Sequence, residues 1–301
     1  MTNLVEVEYA QTGKSSNTDE LGMREMQAMV YAQRNRQYLL VKAPPASGKS
    51  RAMMFVALDK LANQGVKKVI VAVPQQNIGR SFKDTALKKY GFFEDWRVAP
   101  YWNLCFNPCS DDSKESIVRE FLDHPTATKL VCTHATLINA LNGVDAAKLD
   151  NVFFGIDEFH HVSANEDSRL GALIRNLLNQ TSAHILAMTG TYFRGDAIPV
   201  MRPEDEVKFQ PTINYNYYRQ LNGYKYLKSL GIGYHFFQGN YLSAIPEVLD
   251  TTKKTLIHIP RPNSKTGAGM NKYDQVAEII KYIGEIIDHD SCLLYTSDAA
   301  D

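Results

Sequence analysis

Val41-Lys42-Ala43-Pro44-Pro45-Ala46-Ser47-Gly48-Lys49-Ser50 decides how the rest of this chain is read. Tyr38-Leu39-Leu40-Val41, at its front, is short and apolar in the manner of a buried strand. Arg51-Ala52-Met53-Met54-Phe55-Val56-Ala57-Leu58, behind it, combines helix formers with apolar positions at helical spacing. A strand, a small-residue loop ending in Gly-Lys-Ser and a helix together make a phosphate-binding arrangement. In it the loop amides and the positive end of the helix cradle phosphate oxygens. Lys49 then reaches the outer phosphates, and the Ser50 hydroxyl is a ligand for Mg2+. Ala43 stands where the general pattern has glycine, and Ala46 where many such loops carry a second one, so the loop is a variant. The competing reading is a chance Gly-Lys-Ser turn ahead of a helix.

Outward from the loop, strands and helices alternate. Lys68–Val73 reads as an apolar strand ending in Pro74-Gln75-Gln76-Asn77, with a helix predicted from Ile78 to Tyr90. A strand at Trp96–Pro100, an irregular cysteine-bearing loop and a helix at Ser113–Leu122 follow. Lys129–Thr133 is a further strand running into a helix at His134-Ala135-Thr136-Leu137, and Asn151–Ile156 and His184–Met188 are two more, with a helix near Leu170–Leu178 between them. Upstream, the pattern predicts a strand at Leu4–Val7, a polar loop at Gln11–Asn17 and a helix from about Asn17 to Arg34. Near-continuous apolar strands alternating with helices indicate an α/β fold, a mostly parallel sheet covered on both faces. Ligands in such sheets bind beyond the carboxyl ends of the strands.

Two polar sets lie at those ends. Ile156-Asp157-Glu158-Phe159-His160 follows its strand directly, 108 residues (157 − 49) after Lys49. Beside a phosphate loop, Asp157 suits a carboxylate holding Mg2+ and Glu158 one that orients or deprotonates water. The plainer alternative is two acids capping a helix, which its dipole favours. Thr189-Gly190-Thr191 follows the last strand, where two hydroxyls beside a glycine suit a relay of nucleotide state, but by itself it reads as an ordinary glycine turn. His160 and His161 have no partner at metal-ligand spacing and read as hydrogen-bonded structural residues.

Lys+Arg and Asp+Glu both number 33, so any nucleic-acid partner would need positive charge gathered in one cleft. No apolar run approaches the ~18 residues of a membrane span and no signal peptide is visible, so no membrane partner is expected and a cytoplasmic protein is. Cys105 and Cys109 lack a second pair to complete a metal site, and with Cys132 and Cys292 they are expected to be reduced thiols.

Taken together, these stretches resemble superfamily 2 helicases of the DExH (DEAD/DEAH-box-like) type, related to restriction-enzyme motor subunits. Ala43-Pro44-Pro45-Ala46-Ser47-Gly48-Lys49-Ser50 resembles that family's motif I, Asp157-Glu158-Phe159-His160 its motif II and Thr189-Gly190-Thr191 its motif III. Pro74-Gln75-Gln76 with Arg80 is similar to motif Ia, and Thr133-His134-Ala135-Thr136-Leu137 to the next strand-end motif. Met23-Arg24-Glu25-Met26-Gln27 resembles the upstream segment whose glutamine reads adenine. The resemblance implies a RecA-like P-loop NTPase fold, with ATP and Mg2+ as cofactors. Residues 43–50 and Gln27 would bind the nucleotide, Ser50 and Asp157 the metal, and Lys49, Asp157, Glu158 and His160 would be catalytic. It also implies Thr189, Gly190 and Thr191 in coupling, and Pro74, Gln75, Arg80, Thr133 and His134 on the phosphates of a DNA or RNA strand, DNA being favoured.

The expected division is a nucleotide-binding domain at 1–200, a tyrosine-rich linker at 201–250, the start of a second RecA-like domain at 251–290 and a non-native tail at 291–301. Tyr215, Tyr217, Tyr218, Tyr224, Tyr226, Tyr234 and Tyr241 alternate with Arg219, Lys225 and Lys228, a pattern that serves either base stacking or packing of the linker. Lys254–Pro260 is predicted as a strand and Tyr273–Ile287 as a helix. Cys292–Asp301 resembles a translated sequencing adapter, which suggests a truncated gene. The implied activity is ATP hydrolysis coupled to movement along a strand. A nucleotide-dependent assembly or regulatory module without motor action is the second class, and the motor part of a nuclease complex, with nuclease or methyltransferase partner subunits, is the third.

Overall fold

The computed structural model describes residues 5–8, 18–106, 113–165, 167–190, 199–222, 229–233, 235–250, 255–259 and 270–286. Leu4, the 11–17 loop, Cys109, Cys292, Thr191, Tyr224–Lys228, Tyr234, Lys254, Pro260, Ile287 and the 291–301 tail lie outside them. The chain divides into two compact units, one drawn from 1–9 with 228–301 and the other from 10–227. In the smaller unit Val5–Glu8 (β1) pairs antiparallel with a strand at Ser229–Ile232.

The larger unit opens with helix α1 (Glu25–Ala32), strand β2 (Tyr38–Lys42) and helix α2 (Lys49–Asn63). There follow β3 (Lys68–Val73), α3 (Lys114–Asp123), β4 (Lys129–Thr133) and α4 (His134–Leu141). Next come β5 (Val152–Ile156), α5 (Arg169–Gln180), β6 (His184–Thr189), a short α6 (Pro203–Glu206), β7 (Ile213–Asn214) and α7 (Tyr217–Asn222). The strands form one parallel sheet in the order β4-β3-β5-β6-β2-β7. The fold is therefore α/β, as the alternation predicts.

Every residue of α2 from Ala52 to Lys60 is buried, which a helix achieves only when covered on all sides. Gly155 is what lets it sit so close to the sheet: a Cβ there would lie 2.3 Å from the Met53 sulfur. On its other side Phe55 meets Tyr31 of α1 and Phe92, with ring centroids 6.4 and 4.7 Å away.

Several elements depart from the sequence reading. The helix expected from Asn17 begins only at Glu25, because Asp19 Oδ1 accepts from the amides of Leu21 and Met23 and holds a local turn. The helix expected at Ile78–Tyr90 is two short 3-10 helices, Ile78–Phe82 and Lys88–Tyr90. Trp96 causes this: its indole donates to the Phe82 carbonyl at 3.0 Å, taking an acceptor that a continuing helix needs. Trp96–Pro100 is no strand, and Trp96 makes an isolated bridge to Thr85. The sixth strand is instead Ile213–Asn214, so the sheet takes in residues past the boundary expected near 200.

In the smaller unit, helices α8 (Tyr241–Val248) and α9 (Lys272–Ile286) pack through Leu242, Ile245 and Ile279. The strand predicted at Lys254–Pro260 does not form across 255–259: Ile257 and Ile259 pack against that helical cluster while Leu256 is 97% exposed. Cys105 and Cys132 are buried free thiols, and burial pushes the Cys105 thiol up to about 11.

Candidate active site

Strand register brings the motif residues to one edge. Lys42 is level with Thr189, Val73 with Thr133, and Ala72 with Ile156. Ala43, Pro74, His134, Asp157 and Gly190 therefore all emerge at the carboxyl edge of the sheet.

The loop after β2 is fastened at its root, where the Ala43 amide donates to the Thr189 carbonyl at 2.9 Å. Pro44 and Pro45 have no N–H, so this half of the loop is anchored through carbonyls. Ala46 at φ 61° and Gly48 at φ 93° are left-handed, the alternation that turns successive amides toward an anion. Glycine adopts that conformation at less cost than alanine, which accounts for its use at the position of Ala46 in many such loops. The Ser47 hydroxyl is buried without a hydrogen-bond partner. Lys49 opens α2 and is itself buried, its ammonium donating to the carbonyls of Ala43 at 3.0 Å and Pro44 at 3.2 Å. A Cβ on Gly190 would lie 3.8 Å from that ammonium, so the turn after β6 looks onto it.

Asp157 is 5% exposed, its amide donating to the Ala72 carbonyl and its Oδ1 accepting from the Glu158 amide at 3.0 Å. Burial first, and then the Glu158 charge, push its carboxyl up to about 6, while the Lys49 ammonium pulls the other way. Glu158 is left-handed at φ 48°, a strained state for a residue with a side chain, of a kind that collects at functional sites. Its carboxylate comes within 3.3 Å of His160 Nδ1, which also shares a 3.0 Å hydrogen bond with the Thr189 hydroxyl. An unbroken series of contacts thus runs from Ala43 through Thr189 and His160 to Glu158.

Other expected site residues are placed differently. Gln27 is 2% exposed, its amide accepting from the Arg24 N–H at 2.8 Å and donating to the Gly48 carbonyl at 3.1 Å. It braces α1 against the loop. His134, expected on a nucleic-acid phosphate, is buried at the head of α4 with its ring against the carbonyls of Asp157 and Ala72. Burial, with His161 and His160 nearby, pushes it down to about 4, so it is neutral at physiological pH. Thr133 is half-buried and caps α4, accepting from the Thr136 amide at 3.2 Å. Pro74 is half-buried, and Gln75 and Arg80 are exposed. Sequence reasoning passed over Gln220, whose amide donates to the Pro45 carbonyl at 3.1 Å. Only the fold unites two residues so far apart in the chain.

The residues fit a nucleoside triphosphate with a divalent cation. Ser47 offers an unsatisfied hydroxyl, Lys49 a movable cation, and Asp157 a carboxyl whose ionised form a bound cation would favour. Among the described residues no group of three or more His, Cys, Asp or Glu could hold a metal alone. A hard cation here would rest on Ser50, Asp157 and the ligand's own oxygens. Among the described residues, too, no helix is long and apolar enough to cross a membrane.

A curated relative from Bacillus subtilis (strain 168), "Putative ATP-dependent helicase YeeB", is 54% identical over 303 residues, covering 100% of this chain and 50% of that protein. The chain thus spans about half the length of that relative. Among solved structures, the Pyrococcus furiosus Hef helicase domain is similar at 18% identity and a TM-score of 0.46, over 67% of this chain and 39% of that one. DUF1998 helicase MrfA bound to DNA and AMPPNP is similar at 13% identity and a TM-score of 0.43, over 70% of this chain and 31% of that one. Residues 24–197, more than half of the chain and the span holding the loop, Asp157 and Thr189, match the DEAD/DEAH box helicase family, and to that family the chain belongs.

Proposed function

We propose that residues 10–227 are the first motor domain of an ATP-dependent helicase or translocase acting on nucleic acid, DNA in preference. What supports this most is the contact series Ala43–Thr189–His160–Glu158, with steps of 2.9, 3.0 and 3.3 Å. It joins the loop that would hold phosphate to the acid that would activate water.

In this reading the loop amides from Ala46 to Ser50 and the head of α2 bind the phosphates. Lys49 leaves the carbonyls of Ala43 and Pro44 for the β- and γ-phosphates. Ser50 and Asp157 hold Mg2+, which when bound neutralises charge on the phosphate oxygens. Glu158, half-exposed beside His160, orients water in line with the γ-phosphate and accepts its proton. Thr189 and Gly190, with Thr191, relay the state of the nucleotide to the strand-binding face. Gln75 and Arg80, with Pro74 and Thr133, supply backbone contacts that grip without choosing sequence. The remaining chain up to 290 is proposed as linker and the beginning of a second motor domain, and nuclease or methyltransferase subunits as partners of the longer protein.

Phosphate release, measured with and without single- and double-stranded DNA and RNA on a protein of the relative's full length, tests the reading. Turnover raised ~10-fold or more by nucleic acid, and lost in Glu158→Gln, agrees with it. Turnover indifferent to nucleic acid instead makes the protein a nucleotide-dependent assembly module.

A further inference from the structure

The segment following the sheet reaches back to the loop at 43–50. Three contacts carry it there. The Tyr215 amide donates to the Lys42 carbonyl at 2.8 Å, continuing the β7–β2 pairing to the foot of the loop. Gln220 Nε2 donates to the Pro45 carbonyl at 3.1 Å. Between them, the Arg219 guanidinium pairs with Glu25, the first residue of α1, and lies 5.4 Å from the Tyr215 ring.

These contacts form a circuit with α1. Gln27 of α1 holds the Gly48 carbonyl, Gln220 of α7 holds the Pro45 carbonyl, and Arg219–Glu25 ties the two helices together. The amides of 44 and 45 are absent because both residues are proline, so a carbonyl is the only backbone group by which that half of the loop can be held. Lys49 takes the carbonyls of Ala43 and Pro44. Among the described residues, the bond to Pro45 is the one that reaches the side-chain-bonded carbonyls of 43–45 from outside the loop and its helix.

We infer that Gln220 and Arg219 are positioning residues for the phosphate loop, holding it in a nucleotide-ready shape through the Pro45 carbonyl and the head of α1. The inference rests on the reading of 43–50 as a nucleotide site. It assigns a share of nucleotide affinity to α7, a helix outside the 24–197 family match.

The test is equilibrium binding of a fluorescent ATP analogue with Mg2+ to the 301-residue chain, with thermal unfolding of each variant alongside. Gln220→Ala and Arg219→Glu are expected to bind ~3- to 10-fold more weakly, the worth of one hydrogen bond or ion pair at a partly exposed site. Their melting temperatures should stay near wild type, and combining Arg219→Glu with Glu25→Arg should restore affinity. A merely structural contact would move the melting temperature and leave affinity alone. If wild type binds, Lys49→Ala does not, and both α7 variants match wild type, the inference is overturned while the nucleotide reading stands. If wild type does not bind, or Lys49→Ala binds equally well, both are overturned.

Discussion

At the scale of single residues, two neighbouring carboxylates stand in unlike surroundings. Asp157 is buried and its carboxyl is pushed up to about 6, whereas Glu158 is half-exposed and touches His160. Their roles should separate under substitution. Glu158→Gln keeps the shape and should bind nucleotide as wild type does while lowering turnover ~100- to 1,000-fold, since it removes the proton acceptor. Loss of binding by the same variant would show that Glu158 is structural. Arg80→Ala should weaken nucleic-acid binding about equally for all sequences and reduce the salt-dependence slope by about 1, because a phosphate contact is sequence-blind. A change confined to particular sequences, in filter-binding titrations across salt, would contradict that.

At the scale of elements, α2 and its contact with the sheet set where Lys49 stands. Gly155→Val should cost ~1–3 kcal/mol in chemical denaturation, because its side chain would have to occupy the place of the Met53 sulfur. An unchanged midpoint would mean that the helix is not held as described. On the opposite edge of the sheet, α2 and β6 meet through Lys60, whose ammonium lies 2.9 Å from His184 Nδ1. Burial, then the Lys60 charge, push His184 down to about 4 from the ordinary 6.5. Between those values the unfolded chain takes up a proton that the folded chain refuses, so stability falls as pH drops from 6.5 to 4. His184→Asn should flatten that part of the stability–pH curve, and an identical slope would refute the assignment. The core elements were legible because each has a strong local signal: apolar strands, a Gly-Lys-Ser loop, acids at a strand end. What was illegible depended on distant groups. Trp96 cut short the 78–90 helix through the Phe82 carbonyl, and β7 was hidden because two residues carry no periodicity.

At the scale of the molecule, one edge of a six-stranded parallel sheet gathers residues scattered from Gln27 to Gln220. The motif order made the loop, Asp157 and Thr189 readable as one site. The burial of His134 and the two hydrogen bonds of the Gln27 amide were not, because side-chain direction is set by packing that no spacing rule reports. In the proposed site the loop and the strand-end acid share one metal-bound triphosphate. The most direct measurement of that sharing is an electron paramagnetic resonance titration of Mn2+, standing in for Mg2+, with a non-hydrolysable ATP analogue. One nucleotide-dependent Mn2+ per chain is expected, with affinity lowered at least ~10-fold in both Asp157→Asn and Ser50→Ala, the scale on which losing even a ligand's hydrogen-bond partner weakens a metal site. Undiminished Mn2+ binding in Asp157→Asn would place the metal elsewhere and contradict the account.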